Sequence, residues 1–419
     1  MFKIRPNKRI YLDHAASTPV DARVLRLLSY AQETLFGNAS GVHKEGVQAS
    51  ILLEDARTTI AKSIGAHADE IIFTGGGTES DNFALLGVLN HFKKNNKNTV
   101  AHIIVSSIEH PAIFELAQYV EKNNMAEVSY VPATESGIVD LDEFKKLLRP
   151  ETIFVSVMQA NNEIGTIQPI KEIAKLIRHH KKHKTTSPQP SPGKERELDP
   201  YPYFHTDACQ SFVYERIGVE QLGVDLLTIN SSKIYGPKGA GALYIRRGTK
   251  IESVSIGGSQ ERNLRASTEN VPLIVAFGTA VEINENLKEK ESERLAELRD
   301  YFINELEQNF EIKLHGSRTD RLPNNINVSF IGYQSEQIVI YLDAQGIAVS
   351  EKSACKADSG VVSHVLKAIY TAPPGTGGAT NLILHYGSVR FSLGRQTTKR
   401  DLDTVIKKLK DIFKLLTKN

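Results

Sequence analysis

At 419 residues the chain is long for a single core, so a large domain accompanied by a smaller one is the expected organisation. A composition of 40% hydrophobic and 24% charged residues is ordinary for a globular protein, and a net charge of +2 gives no electrostatic case for nucleic acid or a membrane surface as the main partner. Two cysteines, Cys209 and Cys355, exclude a disulfide framework and a four-cysteine metal site, and no apolar run approaches the length that spans a bilayer.

The first residues, MFKIRPNKRIYLDHAAS, lack the apolar core of a secretory signal, which with the few thiols reads as a cytoplasmic protein. HKEGVQASILLEDARTTIAKSIG carries apolar residues at three- and four-residue spacing and predicts a helix. EIIFT reads as a buried strand, after which GGGTES turns the chain into the helix DNFALLGVLNHF. AHIIVSS, AEVSYVP, TIFVSVM, YFHTDA, VDLLTIN and GALYIRR are further strand candidates, with helices between many of them. This alternation predicts an α/β fold, a mostly parallel sheet with helices on both faces, whose active site lies beyond the carboxyl ends of the strands. Residues 178–202, RHHKKHKTTSPQPSPGKERELDPYP, start basic and turn Ser/Pro-rich, predicting an exposed disordered loop centred on 183–202. Its HHKKH histidines, set among cations, read as a solvated helix end rather than as metal ligands.

Residues 271–311 predict one long helix or two consecutive ones. NINVSFI, the helix SEQIVIYLDAQG, IAVS, a loop, GSVRFSLG and a final helix form an α+β pattern assigned to a smaller C-terminal domain. Within it, TAPPGTGGAT at 371–380 is a Pro/Gly-rich loop.

The chemistry-bearing stretches all sit at strand ends or in loops that reach them. In FTGGGTESDN a glycine turn opens a helix at Gly77 and Thr78, where free N–H groups and the helix dipole suit a phosphate; plain turns use the same residues. SSIEHPAIF places His110 after a strand and before a proline, either as a helix cap or as an imidazole lying flat on an aromatic cofactor. QANNEIG presents two asparagines at a strand end. In YFHTDACQ, Asp207 is either a cap or the partner of a protonated heterocyclic nitrogen, with Gln210 within reach of the same ring. Lys233, in TINSSKIYGPKGAGALYIRR, follows a strand and precedes a glycine-rich turn that lacks the spacing of a nucleotide-phosphate loop. A desolvated amine at a strand end has a lowered pKa and attacks a carbonyl. Together these residues describe a site for pyridoxal phosphate.

The chain resembles the cysteine desulfurases of the NifS/IscS type, in the class V aminotransferase group of fold type I pyridoxal phosphate enzymes. The resemblance runs in order through YLDHAASTPVD, FGNASGVH, FTGGGTESDN, EHPAI, NNEIG, HTDACQ, KIYGPKGAGALYIRR, GGSQERNLRASTENV, NVSF, KSAC and SVRFSLGR. It implies a large cofactor-binding domain over 14–265 with a mostly parallel seven-stranded sheet, and a small domain from 1–13 and 266–419 that carries a mobile nucleophile loop. By that resemblance Lys233 carries the cofactor in imine linkage, His110 stacks on its ring, Asp207 holds the ring nitrogen, and Asn162 with Gln210 contacts ring oxygens. Gly77 and Thr78 bind the phosphate. Thr268 reaches the phosphate across a dimer interface, which implies a homodimer. Arg390 with Asn38 clamps the substrate carboxylate. The family usually has Ser-Gly-His before the lysine; here Asn230, Ser231 and Ser232 stand there, so a contact to the phosphate or the ring's surroundings is lost or replaced by a hydroxyl, with Asn230 and Ser232 among the expected cofactor-binding residues. The loops at 183–202 and 371–380 are longer than usual by roughly 20 and 10 residues, which loop-closure entropy tolerates.

The implied activity converts L-cysteine to alanine and leaves a persulfide on Cys355, for iron–sulfur cluster assembly or thiolation through an acceptor or scaffold protein. A free thiol has a pKa of about 8.5, and Lys352 and Lys356 flank Cys355 to favour the thiolate. Cys209 reads as packing. Other class V enzymes (a selenocysteine lyase or an aminotransferase) and a catalytically weakened sulfur-relay protein are the alternatives; no metal is expected.

Overall fold

Short runs of β-branched and aromatic residues build the centre of the molecule. The computed structural model describes residues 9–97, 99–184, 201–352, 363–370 and 386–417. Its first strands are β1 (Ile10–Tyr11), β2 (Ile71–Thr74), β3 (His102–Ser106), β4 (Glu127–Val131), β5 (Thr152–Ser156), β6 (Tyr203–Asp207), β7 (Leu226–Asn230) and β8 (Gly241–Ile245). Seven of them form one sheet in the order β2-β8-β7-β6-β5-β3-β4, parallel except for β8, which runs against both neighbours. All seven strand stretches expected from the sequence are present.

Period-two alternation divides each strand between two cores. Ile71 and Phe73 of β2 and Ala242 and Tyr244 of β8 face one of them, together with the helices Lys44–Ser63 and Val271–Asn309. Ile72 of β2 and Leu243 and Ile245 of β8 face the other, covered by the helices Gly77–Asn95 and Pro111–Lys122. Burial on both faces explains why β3 and β5 read as continuous apolar runs rather than alternating ones.

The C-terminal part adds β9 (Ile312–Leu314), β10 (Asn325–Phe330), β11 (Ile347–Ala348), β12 (Ser350–Lys352) and β13 (Ser388–Ser392). β12-β13-β10-β9 is an antiparallel sheet, and β11 pairs in parallel with β1, so the N-terminal segment is tied to this part of the chain. Residues 271–309 form one unbroken helix, capped by the Asn270 side chain with proline in its first turn. The final helix, Lys399–Leu416, opens on a reciprocal capping box between Thr398 and Asp401.

The basic segment departs from its expected form. Residues 178–184 continue the helix Ile170–Lys184, whose Ile173, Ala174 and Ile177 pack into the core, and Tyr201 and Pro202 are buried. A loop over the whole of 178–202 is therefore too long at both ends. The HHKKH histidines do lie on a helix end, as expected; residues 185–200 fall outside the described residues, as does the 371–380 loop.

A buried ion pair fixes the loop that leads to Thr268. Arg57 reaches Glu261 through two hydrogen bonds of 2.7 and 2.8 Å, and Glu261 also accepts from the Phe73 N–H at 2.8 Å. Glu261, Arg262 and Asn263 hold φ values of 44°, 59° and 65°, a left-handed run unfavourable for side-chain-bearing residues that this anchor holds in place. Glu261→Gln leaves the buried guanidinium with only the exposed Glu54, 2.9 Å from its Nε, as counter-ion and is expected to cost about 3 kcal/mol, read as a lowered urea midpoint.

Candidate active site

The carboxyl ends of the parallel strands meet around a cavity of about 370 Å³. β6 delivers Asp207, β7 ends on Asn230, and the turn after it delivers Lys233. The segment after β3 brings His110, that after β5 brings Met158 and Asn162, and β2 leads into Gly77 and Thr78. Gln210 and Cys209 follow Asp207 on the wall, Ala15 and Ala16 cross over it, and Ser350 and Arg390 close the side facing the C-terminal sheet. A larger cavity, about 610 Å³, lies behind the 14–18 segment, lined among others by Tyr11, His14, Thr18 and Lys238. It holds none of the strand-end groups, so the chemistry belongs to the smaller one.

Lys233 ends a single 3₁₀ turn, Ser231–Lys233, and its Nζ donates to the carbonyls of Ala15 (2.9 Å) and Ala16 (2.6 Å). Burial lowers its pKa and Arg390 adds to that, against the opposing pull of Cys209, Asp207 and Asp13. Gln210 donates to the same Ala15 carbonyl at 2.9 Å. Asp207 is 6% exposed and its Oδ1 accepts from the Cys209 N–H at 2.8 Å. His110 both caps and lines: its Nδ1 accepts from the Ala112 N–H at 3.1 Å at the start of the helix Pro111–Lys122, which leaves the ring proton to Nε2.

The glycine turn is built for close approach. Gly76, with φ 149° and ψ −179°, takes a conformation that needs glycine, and no side chain caps the helix that follows. A Cβ on Gly77 would lie 3.0 Å from Cys209 Sγ and 3.5 Å from Asn230 Nδ2. The helix therefore presents its first N–H groups to the cavity without a side chain in the way. Arg390 is 5% exposed; its Nη2 holds Asp13 at 2.9 Å and its Nη1 donates to the Asn162 carbonyl at 2.8 Å, while its Nε has no partner.

Three expected site residues stand apart. Ser232 does not line the cavity: its N–H and hydroxyl both turn onto Asn230 Oδ1, at 3.1 and 3.2 Å, because Asn230 caps the 3₁₀ turn. It braces Asn230. Asn38 and Thr268 are exposed and line no part of this chain's cavity. Cys355 falls outside the described residues.

Asp81 and Glu109 are buried groups that sequence reading missed. Asp81 is 1% exposed, on the cavity wall. Glu109 is fully buried; its Oε1 accepts from Ser106 Oγ at 2.9 Å and the Met158 N–H at 2.6 Å, tying the His110 loop to the β5 loop. Burial raises its pKa from 4.5 to about 8. The folded state thus keeps a proton that the unfolded chain releases near pH 4.5, so Glu109 contributes stability fully present below that pH and lost as pH rises through about 8. Compared with Glu109→Gln, the native protein is expected to lose up to about 5 kcal/mol of unfolding free energy across that window, measured by urea denaturation.

A buried amine beside backbone acceptors, a buried carboxylate facing it, a histidine ring and an uncapped helix start suit a flat heterocycle bearing an aldehyde and a phosphate. The comparisons with known proteins agree. The aminotransferase class-V family pattern matches residues 10–185 and 201–405, its interruption falling on the Ser/Pro-rich segment. A protein named cysteine desulfurase IscS from Dictyoglomus turgidum is 45% identical over 98% of this chain and 95% of its own. The protein of the same name from Methanosarcina thermophila is 41% identical over 98% of this chain and 93% of its own. The chain belongs to the class V aminotransferase family. Within it this protein is a pyridoxal phosphate-dependent cysteine desulfurase acting on cysteine, as the sequence resemblance implied. A solved NifS-like protein superposes with a TM-score of 0.84 at 31% identity, covering 97% of this chain and all of its own, which bears out the fold type I architecture expected for the desulfurase. Among its described residues no helix is long and apolar enough to cross a membrane.

Proposed function

We propose that this desulfurase uses Lys233 as the amine that holds the cofactor and moves the substrate's Cα proton, and Cys355 as the nucleophile that takes the sulfur. The observation that carries the reading is the convergence of Lys233, Asp207, His110, Gly77 and Thr78 on one cavity. When bound, pyridoxal phosphate supplies an electron sink conjugated to Cα. Burial favours the neutral, proton-accepting form of Lys233. Asp207 holds a proton on the ring nitrogen, His110 covers the ring, and Asn162 with Gln210 orients it. Gly77 and Thr78 at the uncapped helix start, with Asn230 alongside, receive the phosphate.

Arg390 binds the substrate carboxylate. Asp13 and the Asn162 carbonyl fix its guanidinium plane while each uses one N–H of a terminal nitrogen, which leaves the second N–H of each for a carboxylate. Arg390→Lys keeps the charge but loses the planar fork, so the KM for L-cysteine is expected to rise at least about tenfold with a smaller change in kcat.

For Cys355 the support comes from the flanking structure. β12 pairs with β13 so that Ser350 opposes Arg390, and Ser350 lies on the cavity wall. After the nucleophile segment, Ser363 Oγ donates to Glu163 Oε2 at 2.6 Å, next to Asn162. The segment bearing the thiol thus leaves and re-enters the described structure beside the site. As thiolate, Cys355 forms an S–S bond to the substrate sulfur while the Cβ–S bond breaks, its electron pair staying with the carbon skeleton that leaves as alanine.

The same reading includes a homodimer. Asn38 and Thr268 occupy neighbouring loops, since Leu35, Ala39 and Val271 share one small core. Phe36 (76% exposed), Val42 (96%) and Ile256 (101%) stand out on this side, an apolar display suited to a second copy. On that surface Asn38 and Thr268 complete the partner's site rather than their own. We assign residues 14–265 to the large domain and 1–13 with 266–419 to the small one, supported by the pairing of β1 with β11 and of Asp13 with Ser392. The persulfide passes to an acceptor or iron–sulfur scaffold protein, in the cytoplasm, where a free thiol stays reduced. The test is alanine formation from L-cysteine by the cofactor-loaded enzyme; no alanine above a protein-free control would sink the reading.

A further inference from the structure

Asp81 has no role in the reaction as described, yet its carboxyl reaches the cavity wall from the second turn of the helix Gly77–Asn95. One oxygen of Asp81, one of Asp207 and a ring nitrogen of His110 all lie within 4.8 Å of one another. The groups around Asp81 come from several elements. β6 supplies Asp207 and His205, whose Nε2 is 3.6 Å from Asp81 Oδ1; β7 supplies the Thr228 hydroxyl, hydrogen-bonded to the carboxyl. The segment after β3 supplies Glu109 and His110, and Cys209 follows Asp207.

None of these neighbours of Asp81 is a cation; the cavity's amine, Lys233, acts on Asp207 and Cys209. His205 is buried, with its pKa lowered to about 4, and its nitrogens contact Ser156 Oγ (2.9 Å) and Thr228 Oγ1 (3.1 Å). His110 Nδ1 accepts from a backbone N–H, so that nitrogen carries no proton and the ring, protonated on Nε2 alone, is neutral. Glu109 holds its own proton up to about pH 8. Two carboxylates this close and this dry do not both stay ionised. The pair is also unequal. Asp207 Oδ1 receives a backbone N–H, whereas Asp81 Oδ1 has no hydrogen-bond partner and is closed off from solvent. A bare buried carboxylate oxygen is costly, and a proton on it removes the cost.

We infer that Asp81 is a neutral acid at pH 7 and leaves Asp207 as the single negative charge at the ring-nitrogen position. Asp81 is then a positioning residue: it acts through Asp207, setting how strongly that carboxylate holds the ring proton. An ionised pair would make the ring nitrogen more basic than one carboxylate does. The functional part of this inference rests on the proposed role of Asp207.

Infrared spectra of the holoenzyme at pH 7, with and without ¹³C-labelled aspartate, test the protonation directly. A label-sensitive C=O band of a protonated carboxyl is expected, and it disappears in the isosteric Asp81→Asn variant. A holoenzyme without that band overturns the inference, and this arm needs no variant to fold. In a pH titration of the bound cofactor's visible absorption, Asp81→Asn is expected to match the native enzyme. A drop in the apparent ionisation constant's pK by a full unit, about tenfold, shows that Asp81 had been charged and also overturns it. Asp207→Ala separates the two layers: if it keeps the native cofactor spectrum, the role of Asp207 fails while the infrared result on Asp81 stands on its own.

Discussion

Replacing Lys233 with alanine is expected to abolish the imine-type visible absorption and to lower L-cysteine turnover roughly 10²–10⁴-fold, the range typical of a lost general acid–base group. The fold should survive. The lysine Nζ contacts two backbone carbonyls, Ala15 and Ala16, and hydrogen bonds of a neutral donor contribute about 0.5–1.5 kcal/mol each. The rest of the cavity stands without it: Asp207 is held by the Cys209 N–H, His110 by Ala112, and Asn230 by Ser232. Absorption spectra and steady-state assays on the same preparation check both halves. A variant that keeps the native spectrum and rate places the covalent link elsewhere.

Cys355→Ser gives the complementary result. The cofactor stays bound, the spectral response to L-cysteine persists, and persulfide formation stops, so sulfide release with an added thiol reductant falls by at least about 10²-fold. A hydroxyl stays protonated where a thiol flanked by Lys352 and Lys356 ionises, and serine therefore offers no nucleophile at neutral pH. The two variants fail at different points, one before the substrate engages and the other after. Equal rates for Cys355→Ser and the native enzyme would remove the thiol from the reaction.

Most of the sheet was legible because its strands are short, apolar on both faces and bounded by turns, as IIFT, HIIVS and TIFVS show. Lys233 and Asp207 were legible for a related reason: a charged residue directly after such a run is placed at the strand's carboxyl end by topology alone. Residues acting through burial were not. Asp81 lies one helical turn beyond Gly77, a spacing that in principle puts it on the same face, yet nothing in GGTESDN separates it from an exposed helix carboxylate. Glu109 was passed over in favour of its neighbour His110, although the fold buries it completely. Backbone acceptors leave no trace in side-chain chemistry, so Ala15 and Ala16 carried no signal. Ser232 stands off the cavity because local capping of the 3₁₀ turn engages its hydroxyl, a competition that the residue type alone does not reveal. The helix ending at Lys184 ran past its expected stop because Ile173, Ala174 and Ile177 bury one face while Arg178, His179, Lys182 and His183 are exposed on the other.

The central claim is that the buried amine at 233 and the loop thiol at 355 work on one substrate molecule. Incubating the cofactor-loaded protein with one equivalent of L-cysteine, then measuring alanine and the mass of the Cys355 peptide before any reductant is added, tests it most directly. Equal amounts of alanine and of peptide heavier by a single sulfur are predicted. Alanine formed while that peptide keeps its original mass would contradict the account.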